Sequence, residues 1–249
     1  MSRGHLRSLL FTDPLIVLIT IGFGIASFVA SFFDSTGRLP NKFAGPWGRW
    51  LLRVARVQLT VEGIEKIDPR QSYVFVANHR SYIDIPAILA AIPVEFRFYA
   101  KKGLFLIPFL GTHLKRAGHL PVVRGDARAS VKSMTLGARL IQERGISMLL
   151  FPEGGRSRGG MREFKEGAAY IAIKAGVPIV PLGLAGTRDV LPMGSNYVRG
   201  GPVVLRIGDP IQTTEMKLHD RAQLTETIAQ QVAALAGEAS APVEAPRPA

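Results

Sequence analysis

The chain has 249 residues, 47% of them hydrophobic, and a formal net charge of +12 at pH 7. This length is enough to bury one substantial core, and the excess of basic residues implies an anionic partner: a phosphorylated substrate, an anionic bilayer surface or nucleic acid. The sequence contains no cysteine, which excludes disulfides, cysteine nucleophiles and thiolate metal sites. Its histidines and carboxylates do not have the spacing of a metal site, so no metal is expected.

A long apolar segment lies near the start of the chain. Residues 15–33 are nineteen residues without a charge, and as a helix they would span roughly 29 Å, close to the thickness of a bilayer core. Phe32, Phe33 and Asp34 form a poor cleavage site, which disfavours a removed signal peptide. We therefore expect a retained membrane anchor, with a buried core helix or a segment lying in one leaflet as alternatives.

The residues around this segment indicate its orientation. Basic residues are fewer before it than after it: Arg3 and Arg7 precede it, and Arg38, Lys42, Arg49 and Arg53 follow it. By the positive-inside rule, this excess predicts that the following domain lies in the cytoplasm. Residues 45–57 place tryptophans and arginines at helical spacing, a pattern typical of a helix at the headgroup interface and equally of an amphipathic helix packed on its own domain. Residues 1–56 are thus predicted to be anchoring or interfacial helices.

Short apolar runs alternate with longer amphipathic stretches from residue 57 onward. We predict strands at 57–62, 72–77, 94–99, 146–151, 179–184 and 203–207, and helices at 84–91, 127–143, 167–175 and 220–236. This alternation predicts an α/β domain over residues 57–236 with a central mixed sheet flanked by helices. Residues 237–249 are rich in Ala, Pro and Glu and are expected to be a disordered tail.

A histidine and an aspartate follow the apolar run at 73–77. His79 and Asp84 are five positions apart, so on one continuous helix they would lie roughly 140° apart around the axis. They can meet if His79 lies in a loop and Asp84 caps the next helix, whose first turn would contain Pro86. A carboxylate holds a histidine in one tautomer and makes it a better base for activating a hydroxyl. The alternative is structural, because aspartate caps helices routinely.

Further polar groups follow other predicted strands. They are Lys101 and Lys102 after one strand, Arg124 at the end of residues 118–124, and Glu153, Gly154, Gly155 and Arg156 after another. Glycines let backbone N–H groups approach an anion, and arginine binds phosphate through a planar fork. Taken singly, each basic residue is an ordinary surface charge, but together with His79 and Asp84 they favour a phosphate site.

These blocks, in this order, resemble the 1-acyl-sn-glycerol-3-phosphate acyltransferases of the glycerolipid acyltransferase superfamily. The resemblance covers about residues 57–211, and its four blocks are the His-four-residues-Asp motif at 79–84, then 118–124, the Phe-Pro-Glu-Gly block at 151–157 and the proline-containing block at 177–181. Two positions depart from the family: Pro121 stands where an aromatic residue is usual, and Gly155 where threonine is usual. The reaction type is therefore better specified than the substrate preference.

The resemblance implies a glycerol-3-phosphate acyltransferase-like fold and a membrane-associated O-acyltransferase. Such an enzyme moves a fatty acyl group from acyl-CoA or acyl carrier protein to the sn-2 hydroxyl of lysophosphatidic acid, giving phosphatidic acid without a cofactor. His79 would be the general base and Asp84 its orienting carboxylate. The lysophospholipid phosphate would be held by a larger set, namely Arg124 and Arg156, a loop shaped by Glu153, Gly154 and Gly155, and Lys101 or Lys102.

The resemblance also implies a location and partners, and it leaves the acceptor open. The site would face the cytoplasm at the surface of the cell membrane. The partners would be this membrane surface, the anionic lysophospholipid and the acyl donor. Another acceptor, such as a lyso-ornithine lipid, stays open. Residues 104–110 are apolar and are either a wall for the acyl chain or simply core.

Two other functions compete with acyl transfer. Residues 155–159 match the Gly-x-Ser-x-Gly pattern of serine hydrolases, with Ser157 as nucleophile and Asp189 or Asp209 and then His219 in the right order. The residues between the strand and this pattern, and the glycines after it, disfavour a nucleophile elbow. A noncatalytic lipid-binding adaptor is the other alternative. Nucleic acid is not expected as a partner, because the sequence lacks the motifs of the common nucleic-acid-binding modules.

Overall fold

The computed structural model describes residues 3–107, 110–122 and 125–238. The helices are α1 (Arg3–Arg7), α2 (Asp13–Ala30), α3 (Arg38–Asn41), α4 (Ala44–Val54), α5 (Asp84–Ala91), α6 (Leu110–Arg116), α7 (Ala127–Arg144), α8 (Gly167–Ala175), α9 (Thr187–Val190) and α10 (Arg221–Ala236). The strands are β1 (Val57–Glu62), β2 (Val74–Ala77), β3 (Phe96–Lys101), β4 (Leu120–Val122), β5 (Ser147–Leu150), β6 (Ile179–Ala185) and β7 (Gly201–Ile207). A π-helical turn covers Ser8–Thr12, and 3-10 helices cover Ile64–Lys66, Lys102–Leu106 and Leu218–Asp220.

The strands form one mixed sheet in the order β1-β7-β6-β2-β5-β3-β4. Every neighbouring pair is parallel except β6 and β7. The five strands from β6 to β4 therefore run in one direction, and their carboxyl ends lie at the same edge of the sheet. The predicted mixed sheet flanked by helices is confirmed.

Alternating side chains of the central strand β2 enter two separate cores. Phe75 and Ala77 belong to a cluster that also contains residues of α4 and α5, whereas Val74 and Val76 belong to a cluster built with α7, α8 and α10. Successive side chains of a strand point to opposite faces, so a strand that is apolar at every position must be covered on both. Helices on both faces of the sheet provide that cover.

The first part of the chain is a long helical arm that lies against this domain. Its segment Gly4–Ala30 has 27 residues and is long and apolar enough to cross a membrane, and little of its apolar window is buried. Near one end, the backbone N–H of Val198 donates to Ser8 Oγ at 2.9 Å. Near the other, Ser27 Oγ donates to the Pro40 carbonyl at 2.8 Å. The arm is therefore attached to the rest of the chain at both ends.

Most predicted elements of the domain are present, with ends shifted by up to two residues. The strand β4 and the helix α6 were not predicted. The predicted helix at 45–57 ends at Val54, and Arg56 has a φ of 55° just before β1 begins. Residues 237 and 238 of the predicted tail are described and the rest of it lies outside the described residues.

The apolar stretch at 104–110 is not core. Leu106 is 77% exposed, and Leu104, Ile107 and Leu110 are also exposed. The other residues of the stretch differ, since Phe105 is buried and residues 108 and 109 lie outside the described residues. The expectation that this stretch is simply core is therefore wrong for its leucines and isoleucine.

The helix that carries Asp84 is positioned by a close contact between α4 and α5. A Cβ atom at Gly48 would lie 2.7 Å from the carbonyl oxygen of Pro86, which is closer than real Cβ atoms approach. We expect Gly48→Val to lower the free energy of unfolding by about 1–3 kcal/mol, because the two helices would have to separate. The measurement is thermal unfolding in detergent, in which each kcal/mol shifts the midpoint by about 2–4 °C in a domain of this size.

Gly22→Val in α2 is the matched control, since a Cβ there meets nothing within 4 Å. Its melting temperature should stay close to that of the unmodified protein. Equal midpoints for Gly48→Val and the unmodified protein would contradict the assigned helix contact.

Candidate active site

Two of the predicted motif blocks and one of the predicted lysines meet at the carboxyl edge of the sheet. The strands β2, β5 and β3 are parallel neighbours, so the segments that follow them lie side by side. These segments carry His79, the loop from Phe151 onward and Lys101. The predicted phosphate ligand Arg124, which would belong to the segment after β4, lies outside the described residues.

His79 and Asp84 are in direct contact. His79 Nδ1 lies 2.7 Å from Asp84 Oδ2, and the exposed fractions of the two side chains are 16% and 0%. The same oxygen accepts hydrogen bonds from the backbone N–H groups of Arg80 at 2.7 Å and Ser81 at 2.8 Å. The interpretation of Asp84 as a helix cap is wrong: α5 begins at Asp84, the residue before it makes no side-chain cap, and the carboxylate faces back to the loop.

This contact determines which nitrogen of His79 is available for chemistry. An ionised carboxylate only accepts hydrogen bonds, so the proton between the two groups is carried by Nδ1 and the lone pair is on Nε2. Within the part of the chain that the structure describes, Nε2 has no hydrogen-bond partner. The imidazole stacks on the ring of Phe151 with centroids 4.2 Å apart and planes 22° apart. The imidazole of His79 is thus held in one orientation, with Nε2 able to accept a proton.

The residue before the histidine fixes the start of the loop, a role that the sequence analysis missed. Asn78 donates from Nδ2 to the carbonyl of Leu184 at 2.9 Å, and its Oδ1 accepts from the N–H of Leu184 at 2.8 Å. The two bonds continue the contact between β2 and β6 by one residue. A buried amide directly after an apolar strand is a signal that sequence reasoning could have used, because buried polar groups require partners.

The buried side chain of Glu153 connects its own loop, after β5, to the loop after β2 that carries His79. Its Oε1 accepts from the N–H of His79 at 2.8 Å, and its Oε2 accepts from Arg80 Nη1 and from the N–H of Arg162, both at 3.0 Å. The side chain is fully buried. Its inclusion among the substrate-binding residues is therefore corrected to a structural role, since both oxygens are occupied by the protein.

The rest of the loop after β5 contains two glycines and an arginine. Gly154 has a φ of +72°, whereas Gly155 is outside the left-handed region and a Cβ there meets nothing within 4 Å. The guanidinium of Arg156 lies over the ring of Tyr82, 3.5 Å from its centroid. Tyr82 belongs to the loop between His79 and Asp84, so this cation–π contact connects the two motif loops and orients the arginine.

One large cavity connects these groups with the helical arm. Its volume is about 1360 Å³, and its lining includes polar groups from the motif segments, namely His79, Lys101, Gly154, Gly155, Arg156 and Lys165. Apolar side chains such as Phe23 of α2 and Trp47 of α4 also line it. Lys102 is not among the described lining residues. Lys165 was not predicted as a ligand, although residues 164–167 resemble the segment that follows the third motif block in the family.

His119 adds a second imidazole to the cavity wall, but it is not a base of the same kind. Burial, with smaller contributions from the charge of Arg97 and from the neighbouring His113, lowers its pKa to about 3. Its Nδ1 accepts a hydrogen bond from the N–H of Phe98 at 3.1 Å. His119 is therefore neutral at physiological pH and presents an uncharged surface to the cavity.

The alternative hydrolase site does not assemble. Ser157 Oγ donates to the carbonyl of Gly160 at 3.1 Å, and residues 151–166 contain no helix. His219 is exposed and its Nε2 lies 3.3 Å from its own neighbour Asp220. No histidine contacts Ser157 among the hydrogen bonds of the described residues. The prediction that the Gly-x-Ser-x-Gly match is accidental agrees with this geometry.

The two adjacent glycines of the loop should respond differently to substitution. Gly154→Ala should lower the free energy of unfolding by about 1–2 kcal/mol, the cost of a left-handed conformation for an L-residue. Gly155→Ala should leave it nearly unchanged, because its backbone is unstrained and the space around it is open. Urea unfolding of both variants measures the difference, and equal stabilities would contradict the assigned backbone geometry.

Comparisons with known proteins agree with the geometry. The model of the acyltransferase family matches residues 58–185. The 1-acyl-sn-glycerol-3-phosphate acyltransferase of Salmonella typhimurium is 30% identical over 166 residues, which are 63% of this chain and 67% of that protein. A chloroplastic protein of the same name from Brassica napus is 35% identical over 161 residues, 64% of this chain and 46% of that protein. The match thus spans slightly less than half the length of the chloroplastic relatives from Brassica napus and Arabidopsis thaliana.

A solved structure extends the likeness to nearly the whole fold. The crystal structure of the 1-acyl-sn-glycerophosphate acyltransferase PlsC from Thermotoga maritima superposes with a TM-score of 0.75 at 26% identity, covering 92% of this chain and 94% of that one. The family match covers more than half of the chain and includes the segments that carry His79, Asp84 and the loop after β5. The chain therefore belongs to the acyltransferase family.

Proposed function

We propose that the protein is a membrane-associated 1-acylglycerol-3-phosphate O-acyltransferase. The observation that supports this best is the 2.7 Å contact between His79 Nδ1 and the buried Asp84 carboxylate, beside a cavity that combines basic residues with a long apolar wall. The names of the relatives, 1-acyl-sn-glycerol-3-phosphate acyltransferases, support lysophosphatidic acid as the acceptor. The product would be phosphatidic acid.

The proposed reaction is a direct transfer between two bound substrates. His79 Nε2 removes the proton from the sn-2 hydroxyl while the hydroxyl oxygen attacks the thioester carbonyl carbon. The carbon–sulfur bond then breaks, the acyl group stays on the acceptor oxygen, and the proton passes from the imidazolium to the leaving thiolate. Asp84 stabilises the imidazolium in between. A thiol with a pKa of about 8.5 is a good leaving group, so one proton carrier is sufficient.

The phosphate of the acceptor is proposed to bind the basic residues of the cavity. Arg156 is oriented by Tyr82, and Lys101 and Lys165 line the same cavity. A guanidinium already held in place loses less freedom when it binds an anion, which favours affinity. Arg124 is retained as a fourth phosphate ligand from the sequence analysis, and Lys102 is the weaker candidate of the two adjacent lysines.

The donor is proposed to be a water-soluble thioester, acyl-CoA or acyl carrier protein, which needs no further cofactor. The apolar part of the cavity, with Phe23 and Trp47 in its wall, suits the hydrocarbon chain of either substrate. Lipid acceptor and product require contact with a membrane, and the cell membrane with the domain on its cytoplasmic face is the proposed location.

The helical arm is proposed to lie in one leaflet instead of crossing the bilayer. A helix of 27 residues would be about 40 Å long at 1.5 Å per residue. His5 stacks on Tyr197 with centroids 5.1 Å apart, and at the other end Arg116 Nε donates to the Ser31 carbonyl at 3.0 Å. A helix attached at both ends to one domain cannot have its ends on opposite sides of a membrane unless that domain crosses too.

The exposed surface of the arm supports this arrangement. Its apolar side chains Phe11, Leu18, Ile25 and Phe33 are among the most exposed large hydrophobic residues of the protein. A contiguous exposed apolar surface of this kind marks a contact with a membrane or another protein. Burial of these side chains in one leaflet would attach the whole domain to the bilayer surface.

Topology mapping tests the proposed arrangement of the arm. A protease-cleavable tag before residue 1 and another after residue 249 should both be digested from the cytoplasmic side of membrane vesicles, because both ends lie on the same side. Protection of the first tag with digestion of the second would mean that the arm crosses the bilayer. Detergent-treated vesicles, in which both tags are accessible, are the control.

Removal of the base should abolish transfer without unfolding the protein. His79→Ala should lower kcat by about 10²–10⁴, the usual contribution of general-base catalysis, and Asp84→Asn should cause a loss within the same range. The assay is transfer of labelled acyl groups from acyl-CoA or acyl carrier protein to lysophosphatidic acid, with lyso-ornithine lipid as a competing acceptor. Preference for the second acceptor would correct the proposed substrate.

The control for this assay is His219→Ala, which removes an exposed histidine on the 3-10 helix before α10. Its activity and melting temperature should match those of the unmodified protein, and the melting temperatures of His79→Ala and Asp84→Asn identify any variant that fails to fold. Retained transfer in His79→Ala would contradict the mechanism, and lipid binding without transfer in the unmodified protein would favour a noncatalytic adaptor.

A further inference from the structure

A carboxylate from the far end of the described chain reaches the loop of the active site. Glu238 follows Gly237, the residue that ends α10, and its side chain is 27% exposed. Its Oε1 accepts from Arg80 Nε at 2.8 Å, and its Oε2 accepts from Arg80 Nη2. The contact is therefore a two-bond fork, the strongest geometry for an arginine and a carboxylate. Residues 237 and 238 were assigned to a disordered tail from the sequence, yet they complete this contact.

The arginine in this contact, Arg80, supports the loop and does not line the cavity. Its side chain is only 3% exposed, and it is not among the described residues that line the cavity. Its Nη1 donates to Glu153 Oε2 at 3.0 Å. Burial lowers the pKa of Arg80, but Glu238 and Glu153 together outweigh that effect and raise it. Arg80 is therefore a permanent cation held between two carboxylates.

Arg80 is connected directly to the catalytic pair. It is the residue after His79, and its backbone N–H donates to Asp84 Oδ2 at 2.7 Å. A displacement of the Arg80 side chain would therefore move the peptide that binds the catalytic carboxylate. Removing one partner of a buried ion pair leaves an uncompensated charge, which drives such a displacement.

We propose that Glu238 is a positioning residue of the acyltransferase: by fixing Arg80, it holds the His79–Asp84 pair in its reactive geometry. The proposal rests on the proposed function, because the expected change in rate is a change in the rate of acyl transfer. Glu238 contacts neither substrate in this assignment, so it should act on the rate of the chemical step and leave substrate affinity unchanged. The C-terminal end of α10 thereby becomes part of the active-site structure.

Kinetics of variants in the full chain test the proposal. Glu238→Ala should lower kcat by about ten- to a hundredfold, the size expected for a misplaced catalytic group, with both KM values within about twofold. Glu238→Gln, which keeps the shape and one acceptor, should lose less. Glu226→Ala is the matched control, an exposed glutamate on α10 whose carboxylate accepts from Gln230, and it should retain full activity. An unchanged kcat in Glu238→Ala would overturn the proposal.

A double-mutant cycle with Arg80 separates positioning from a general loss of stability. If Glu238 acts through Arg80, then Arg80→Gln combined with Glu238→Gln should be no slower than Arg80→Gln alone. If the fold losses in kcat of the two single variants multiply in the double variant, Glu238 acts elsewhere and the proposal is overturned. Melting temperatures identify any variant that fails to fold, and the milder Glu238→Gln then carries the comparison.

A spectroscopic signal of the catalytic pair gives a readout that does not depend on activity. The Nδ1–H proton shared by His79 and Asp84 should give a low-field proton resonance that is absent in His79→Ala. In Glu238→Ala this signal should broaden through faster exchange with water, while Glu226→Ala should leave it unchanged. An unaltered signal in Glu238→Ala would overturn the positioning role. Broadening in a protein that transfers no acyl group would instead show that the proposed function, and not the contact, is wrong.

Discussion

A single buried oxygen organises the loop between His79 and Asp84 in this acyltransferase. Asp84 Oδ2 accepts hydrogen bonds from the His79 imidazole and from two consecutive backbone N–H groups, all within 2.8 Å. Three donors that converge on one acceptor require the intervening chain to curl around it, so the carboxylate shapes the loop and orients the imidazole at the same time. The loop cannot keep its path without the carboxylate, and the imidazole cannot keep its tautomer without the same bond.

Charge balance around this loop explains how so many ionisable groups can be buried at one sheet edge. Arg80 lies between Glu153 and Glu238, and each oxygen of Glu153 is taken by a donor from the neighbouring loops. Buried ions are tolerated when they are paired and hydrogen-bonded, and this network satisfies that condition with protein groups alone. Three other cations, Lys101, Arg156 and Lys165, line the cavity and form no salt bridge with a carboxylate among the described residues.

The sequence predicted the parts of this site that depend on local patterns. The strand β2 and the helix α5 follow from periodicity, and their junction placed His79 near Asp84. The strand β4 was missed because it has three residues and contains Pro121, so it offers no alternation to read. Two directions of the Asp84 carboxylate were left open, since an aspartate at the start of a helix can face either its own helix or the preceding loop, and the structure has it facing the loop and His79. The contacts of Glu153 join residues more than seventy positions apart, and no local pattern encodes a partner at that separation.

The contact between Arg80 and Glu238 also has a consequence for the order of assembly. The two residues are 158 positions apart, and β1 likewise pairs with β7, the last strand. During synthesis the amino-terminal part of the chain emerges first, so the histidine loop leaves the ribosome long before the carboxylate that secures it. Contacts between distant positions form slowly because a large loop must close. The contact that secures the His79 loop therefore cannot form until residue 238 has been synthesised.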